Sequence, residues 1–87
     1  MIIKKKVWPV YFEAIFSGKK KYELRLNDFE VNEGDVLLLE EWDPETQSYT
    51  ERTIEKKVTY VGTFQIDQLF WPEDQIKEKG LQIISLE

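Results

Sequence analysis

The run from Tyr49 to Val61 alternates between two sets of side chains over thirteen residues. Alternation with a period of two is typical of a β-strand that has one face towards a core and the other towards water. A strand of this length usually bends at a β-bulge and pairs with two neighbours, as strands do in small barrels. The run therefore predicts a strongly bent β-sheet.

Shorter strands are predicted at Ile2–Val7, Lys20–Leu26, Val36–Trp42 and Leu81–Leu86, because apolar residues concentrate there and turn-forming residues lie between them. The chain has no repeat, no low-complexity tract and no linker. Together these patterns predict an α+β, mainly β fold in a single domain over residues 1–87. Its expected form is a small bent β-barrel of five or six mostly antiparallel strands.

One main helix is predicted near residues 9–17, where it would close one end of the barrel. Pro9 suits the first helical turn, since its missing N–H removes no hydrogen bond there, and Gly18 ends the helix. Apolar side chains recur at spacings of three and four, which predicts one buried stripe. The stripe consists of Trp8, Tyr11, Phe12, Ile15 and Phe16. The alternative is that Trp8 and Tyr11 line a site. A second, shorter helical piece is predicted at Glu73–Lys79.

Cysteine and histidine are both absent from the sequence. Their absence excludes disulfides, thiolate metal sites and Ser-His triads. Carboxylates alone would hold Mg²⁺ or Ca²⁺ only weakly, so we expect no metal and no cofactor. No run approaches the roughly 18 apolar residues of a membrane span, and no signal-peptide pattern is present. A cytoplasmic protein without membrane contact is therefore expected.

The formal net charge is −5, but the charges are unevenly distributed. Residues 1–25 carry seven cationic side chains and two carboxylates, whereas residues 26–87 carry five cationic side chains and fifteen carboxylates. This asymmetry predicts either a cationic surface suited to an anionic ligand or two ordinary solvated faces. The acidic balance argues against nonspecific nucleic-acid binding, and no DNA-specific motif is present.

The segment Gly18–Arg25, with the sequence GKKKYELR, contains four cationic side chains and one carboxylate in eight residues. Gly18 supplies the positive φ that a tight turn needs, and a strand is predicted to begin two residues later. Such a dense array of charges is unlike a core segment. The alternative to a site is a solvated lysine turn that leads into an edge strand.

The spacing of the charged residues decides which of them can meet. On a regular strand Lys20 and Glu23 point to opposite faces, because they are three residues apart. They can share a site only if Lys20 belongs to the turn or a bulge intervenes. Lys21, Glu23 and Arg25 lie on the same face of a regular strand, so they need neither a turn nor a bulge to meet. If no site exists, these three form the solvent face of a strand, with a surface ion pair that contributes little.

The signature of the ASCH (activating signal cointegrator-1 homology) family is G-x-K-x-x-E-x-R, and the chain matches it at Gly18, Lys20, Glu23 and Arg25. The chain resembles this family over about residues 2–86. The preceding helix, the Gly34-Asp35 turn and the Trp-Asp-Pro hairpin resemble more specifically a small bacterial, archaeal and phage branch of unknown function (DUF3850-like). The resemblance implies a PUA-like β-barrel with a cleft that binds RNA or a nucleoside.

The resemblance implies that Lys20, Glu23 and Arg25 line this cleft, with Gly18 shaping the turn. Two further residues are predicted to bind the ligand on other grounds: Lys21 shares a strand face with Glu23 and Arg25, and Trp42 is an aromatic side chain on which a base could stack. Lys20 would meet a phosphate or a carbonyl as a point charge. Glu23 would accept from an exocyclic amine of a base, and Arg25 would donate two hydrogen bonds or stack on a base. Other aromatic residues that could stack are Tyr22, Tyr49 and Tyr60.

Two alternatives belong to other classes of function. Bacterial amidohydrolases of the ASCH family remove an acetyl group from N4-acetylcytidine with a lysine base and a threonine nucleophile. Lys20 matches that lysine, but Glu23 stands at the threonine position and has no hydroxyl to acylate. Lys20 and Glu23 are therefore the catalytic candidates of an amidohydrolase that acts on an N4-acylated cytidine-type nucleoside by another mechanism.

The second alternative is an adaptor whose cationic patch binds an acidic protein partner. A monomer is favoured in either case. If the residues of the motif bind a ligand, Lys20→Ala and Arg25→Ala are expected to weaken binding and to leave the melting temperature nearly unchanged.

Overall fold

The computed structural model describes residues 1–84 of the chain. Its strands and helices are β1 (Ile2–Val7), α1 (Pro9–Phe16), β2 (Val36–Asp43), β3 (Ser48–Lys57) and α2 (Glu73–Lys79). One turn of 3₁₀-helix lies between β3 and α2, at Ile66–Gln68. The α+β class and both predicted helices are thus confirmed. None of the helices within residues 1–84 is long and apolar enough to cross a membrane.

The three strands form one mixed sheet in the order β1-β2-β3. β1 and β2 run parallel, with Ile2 opposite Val36 and Val7 opposite Glu41. β2 and β3 are antiparallel neighbours joined by a hairpin. The parallel pair follows from the connection, since α1 and the long segment after it form a crossover between β1 and β2.

The predicted small bent β-barrel of five or six strands is not formed within residues 1–84, where the strands make one open sheet. Lys20–Leu26 forms no strand, and Leu24 and Leu26 of its expected apolar face are largely exposed. Residues 81–84 form no strand either, and the last two residues of that predicted strand lie outside the described residues. Closure needs additional strands along the outer edges of β1 and β3. Within residues 1–84, three strands replace the expected five or six.

β3 bends at a bulge, as expected for a strand of its length. Glu40 pairs with Thr53 and Trp42 pairs with Tyr49, so three residues of β3 lie opposite one residue of β2. Glu51, in the middle of the bulge, has a φ of 72°. β3 ends at Lys57, earlier than predicted, and Val58 makes its main-chain bonds with Gly34 and Asp35 in the turn before β2.

The core lies between α1 and one face of the sheet. It consists of the buried side chains Val7, Phe12, Ile15 and Leu39, with Leu37 and Ile54 packed partly against them. The predicted helical stripe is therefore only half correct. Trp8, Tyr11 and Phe16 are 51 %, 51 % and 57 % exposed, because the sheet covers only one side of a helix that carries apolar residues over a wider arc.

Candidate functional site

The turn after α1 places Lys20 at the end of the helix. Gly18 has a φ of +83°, in the left-handed region that favours glycine. Its amide donates to the carbonyl of Ile15 at 3.0 Å, and the amide of Lys20 donates to the carbonyl of Ala14 at 2.9 Å. These bonds use carbonyl groups that the last helical turn leaves without partners. Lys20 therefore belongs to the turn, and the strand geometry that separates it from Glu23 does not apply.

The ammonium group of Lys20 lies between a carboxylate and two aromatic rings. Its Nζ atom is 3.5 Å from Oε1 of Glu23. The same atom lies 5.0 Å from the ring centroid of Tyr11 and 5.1 Å from that of Tyr22. Both distances are within the range of a cation–π interaction. The Lys20 side chain is only 17 % exposed, so the two rings shield the cation from much of the solvent.

Arg25 joins Glu23 to the first strand. Its Nε atom donates to Oε2 of Glu23 at 2.9 Å, and its Nη2 atom donates to the carbonyl of Lys6 at 2.7 Å. Each oxygen of Glu23 thus faces one cation. We call Lys20, Glu23 and Arg25 the motif triad; it carries two positive charges and one negative charge.

The other two residues predicted to bind a ligand lie apart from the motif triad. Lys21 is exposed, and within residues 1–84 its side chain makes no hydrogen bond or ion pair. Trp42 lies on β2, with its ring 4.3 Å from Nζ of Lys6. Lys6 also accepts the hydrogen bond from Arg25 through its carbonyl. Lys6 thus contacts both Trp42 and the motif triad.

The sequence patterns favour a place for Tyr11 in the buried stripe of α1, with the lining of a site as the alternative, and the structure places its ring against Lys20. Tyr11 differs from its neighbour Phe12 in carrying a hydroxyl, and a buried tyrosine needs a hydrogen-bond partner for it. The hydroxyl was therefore the feature of the sequence that could have indicated a partly exposed position for Tyr11. The contact of Arg25 with Lys6 had no signal in the sequence, because it joins a side chain to a main-chain atom 19 residues away.

A second cluster of polar residues, which the sequence patterns did not indicate, lies at the bulge of β3. The Thr50 hydroxyl donates to Oε1 of Glu41 at 2.5 Å, and Arg52 Nη1 lies 3.8 Å from Oε2 of Glu41. Arg52 Nη2 also donates to Glu13 on α1 at 3.3 Å. The guanidinium of Arg52 lies over the rings of Phe12 and Phe16. Glu41 is the buried charged residue of the described chain, and this bulge cluster links α1 to the sheet.

The motif triad does not lie in the cavity found near the end of the described chain. That cavity has a volume of about 560 Å³ and lies between α2 and the residues that follow it, lined by side chains that include Trp71, Ile76, Leu81 and Ile84. The motif triad is instead a surface site beside the end of β1. Within residues 1–84 no group of acidic side chains is arranged to hold a metal ion.

The comparisons with known proteins identify a family of unknown function. A family model described as "Domain of unknown function (DUF3850)" matches residues 2–70. The chain is 34 % identical over 71 residues to an uncharacterized 12.9 kDa protein in the GpA 3′ region of Escherichia phage P2. That match covers 82 % of this chain and 60 % of the phage protein. No solved structure matches the chain. Since the family model spans the whole sheet, α1 and the motif triad, the chain belongs to the DUF3850 family.

Proposed function

We propose that this domain binds RNA or a nucleoside at the motif triad, and that it is an ASCH-related, PUA-like binding module whose sheet is open. The observation that carries the proposal is the convergence of the motif residues. Lys20 and Arg25 each lie within ion-pair distance of Glu23, although the three residues do not belong to a strand. Two tyrosine rings flank the same ammonium group.

The chemistry of these groups suits a nucleic-acid component. Ammonium and guanidinium groups bind phosphate oxygens or base carbonyls. The half-exposed rings of Tyr11 and Tyr22 offer faces on which an unpaired base could stack. The excess of lysine in residues 1–25 would attract an anionic ligand to this side of an otherwise acidic protein.

The same geometry favours binding over amide hydrolysis. Both oxygens of Glu23 already face cations, at 2.9 Å from Arg25 and 3.5 Å from Lys20. Neither oxygen can take a proton from an attacking water unless one of these contacts is broken. No serine or threonine hydroxyl joins the motif triad in residues 1–84, so the group lacks the nucleophile that acyl transfer needs.

A calorimetric and thermal-shift screen tests the proposal. The panel contains nucleosides, N4-acetylcytidine and short single-stranded RNAs, and acetate release is measured in the same samples. Lys20→Met removes the ammonium group from the site, and Lys77→Met removes one from the exposed side of α2 as a matched control. We expect saturable binding that Lys20→Met abolishes and Lys77→Met retains.

Three other results would contradict the proposal. An equal loss of ligand binding in the two variants would mean that binding depends only on the net charge of the protein. Release of acetate would assign the domain to the amidohydrolases in spite of Glu23. If no ligand of the panel binds and an acidic protein does, the result would favour the adaptor function.

A further inference from the structure

We infer that the motif triad binds the phosphate group of its ligand, and that Glu23 occupies the place of this phosphate in the free protein. The inference rests on the proposed function and specifies the chemical class of the ligand. It is a nucleotide or a segment of RNA backbone, and an uncharged nucleoside is not sufficient.

The first argument concerns the donors that remain available. The ammonium group of Lys20 has three N–H donors, yet it makes no hydrogen bond within residues 1–84. Its described contacts are the 3.5 Å ion pair with Glu23 and the two tyrosine rings. Aromatic faces attract a cation but accept hydrogen bonds only weakly. Lys20 is therefore a partly desolvated cation that a group with strong acceptors can satisfy.

The second argument concerns the acceptor. Glu23 is the one carboxylate of the motif triad, and its side chain is only 14 % exposed. Its Oε2 atom already accepts a short hydrogen bond from Arg25, and Oε1 faces Lys20. A base that offers amine donors would meet a carboxylate that is engaged on both sides. The site thus has free N–H donors, whereas its carboxylate acceptor is already paired. This combination favours an anionic ligand.

The third argument is that each cation is held in place without Glu23. The main chain of Lys20 is fixed by the amide bond to Ala14 and by the turn at Gly18, while Tyr11 and Tyr22 flank its ammonium group. Arg25 is fixed by its 2.7 Å bond to the carbonyl of Lys6. When the Glu23 side chain rotates away, both cations therefore remain near their positions. A phosphate can then replace the carboxylate with more charge and more oxygens.

The test compares ligands that contain a phosphate group with one that lacks it. Binding of uridine 5′-monophosphate, uridine, inorganic phosphate and a diuridine that lacks terminal phosphates is measured by calorimetry. Glu23→Gln removes the internal anion, and Glu78→Gln on α2 is the matched change of charge. We expect Glu23→Gln to bind the monophosphate about three- to tenfold more tightly than wild type, and Glu78→Gln to show no change. In the wild-type protein, inorganic phosphate should compete with the monophosphate.

The ligands also separate the two sources of phosphate, since tighter binding of the diuridine than of the monophosphate would indicate an RNA backbone. Binding of uridine as tight as that of the monophosphate would overturn the inference and leave the proposed function standing. So would weaker binding of the monophosphate in Glu23→Gln. The competition by inorganic phosphate needs no variant, so its absence contradicts the inference even if Glu23→Gln does not fold. Failure of every nucleoside, nucleotide and RNA to bind would instead remove the proposed function itself.

Discussion

The guanidinium group of Arg25 donates a 2.7 Å hydrogen bond to the main-chain carbonyl of Lys6, near the end of β1. β1 is an edge strand of the sheet, so its outer carbonyl groups have no partner strand. One side chain thus supplies a hydrogen bond to the main chain of this edge strand. It also attaches the irregular segment after Gly18 to the sheet.

This bond distinguishes the effect of two alanine substitutions on stability. The sequence predicts unchanged melting temperatures for both Lys20→Ala and Arg25→Ala. The structure revises this for Arg25, because Arg25→Ala removes the bonds to Lys6 and Glu23 together. We expect a loss of about 1 kcal/mol for this partly exposed side chain, which lowers the melting temperature by about 4–8 °C in a domain of this size. Lys20→Ala removes a 3.5 Å ion pair and two cation–π contacts but no hydrogen bond, and it should change the melting temperature by less than about 2 °C. Thermal unfolding followed by circular dichroism measures both, and identical melting of wild type and Arg25→Ala would contradict this revision.

The turn at Gly18 should be sensitive to backbone conformation and insensitive to side-chain size. A Cβ atom at this position would have no neighbour within 4 Å, but the φ of +83° is costly for alanine. Gly18→Ala should therefore cost about 1 kcal/mol, and Gly18→Asn should cost clearly less, because asparagine tolerates the left-handed region. Chemical denaturation of the two variants decides the matter. A larger loss for Asn than for Ala would indicate a steric cause instead.

Local patterns predicted most of the elements correctly. Pro9 begins α1, Gly80 follows the last residue of α2, and the predicted hairpin connects β2 to β3. Asp43 accepts a 2.9 Å hydrogen bond from the amide of Glu45 within this hairpin. Each of these features depends on residues within four positions of one another, so the sequence contains the necessary information.

Closure of the sheet could not be predicted in the same way. Tyr22, Leu24 and Leu26 alternate as in a strand, but alternation does not say which edge a segment would pair with. In the structure, contacts of Lys20 with α1 and of Arg25 with β1 hold this segment at two points. The first contact is a main-chain bond across the turn at Gly18, and the second joins a side chain to a carbonyl group 19 residues away. Whether a segment pairs as a strand depends on how strand pairing competes with contacts of this kind. The periodicity of the sequence contains no information about that competition.

The candidate site was predicted only in part for a related reason. The spacing of Lys20 and Glu23 left two geometries open, and the main-chain bond from Lys20 to Ala14 is what places Lys20 in the turn. Tyr11 could not be separated from Phe12 by apolar spacing, although one ring lies against Lys20 and the other is fully buried. A helix that packs on one sheet buries a narrower arc than the apolar stripe suggests.

The bulge cluster should couple Arg52 to Glu41 energetically. Arg52→Met leaves the buried carboxylate of Glu41 with the Thr50 hydroxyl but without its cation. We expect a loss of about 1–2 kcal/mol, lower than for a fully buried pair because Arg52 is about half exposed. Glu41→Gln should then cost less in the Arg52→Met background than in the wild-type protein, since the carboxylate no longer has a cation to lose.

Urea denaturation of the two single variants and the double variant measures this coupling. Glu13→Gln is the control, because it breaks only the exposed arm of the cluster and should cost less than about 0.5 kcal/mol. Strictly additive losses for Glu41→Gln and Arg52→Met would show that the 3.8 Å ion pair contributes nothing.

The turn before β2 should make stability depend on pH through Asp35. The amide of Asn32 donates to Oδ2 of Asp35 at 2.9 Å, and this bond lowers the pKa of the carboxyl group below its ordinary value of 3.8. Burial acts in the opposite direction, and the amino group of Met1, 3.3 Å from Oδ1, adds a smaller lowering of the same pKa. The ionised form is thus favoured in the folded protein.

A lowered pKa in the folded state stabilises the protein at pH values above the pKa of the unfolded chain. The contribution is lost as the pH falls from about 4 through the folded-state value. Asp35→Asn should therefore melt at a lower temperature than wild type at pH 7, and the difference between the two should shrink between about pH 4 and pH 2.

Asp67→Asn, at an exposed position in the 3₁₀ turn, is the control. Thermal unfolding from pH 7 to pH 2 measures the effect. A difference that stays constant over this range would mean that Asp35 acts through the shape of the turn and not through its charge, because the shape of the asparagine variant does not titrate.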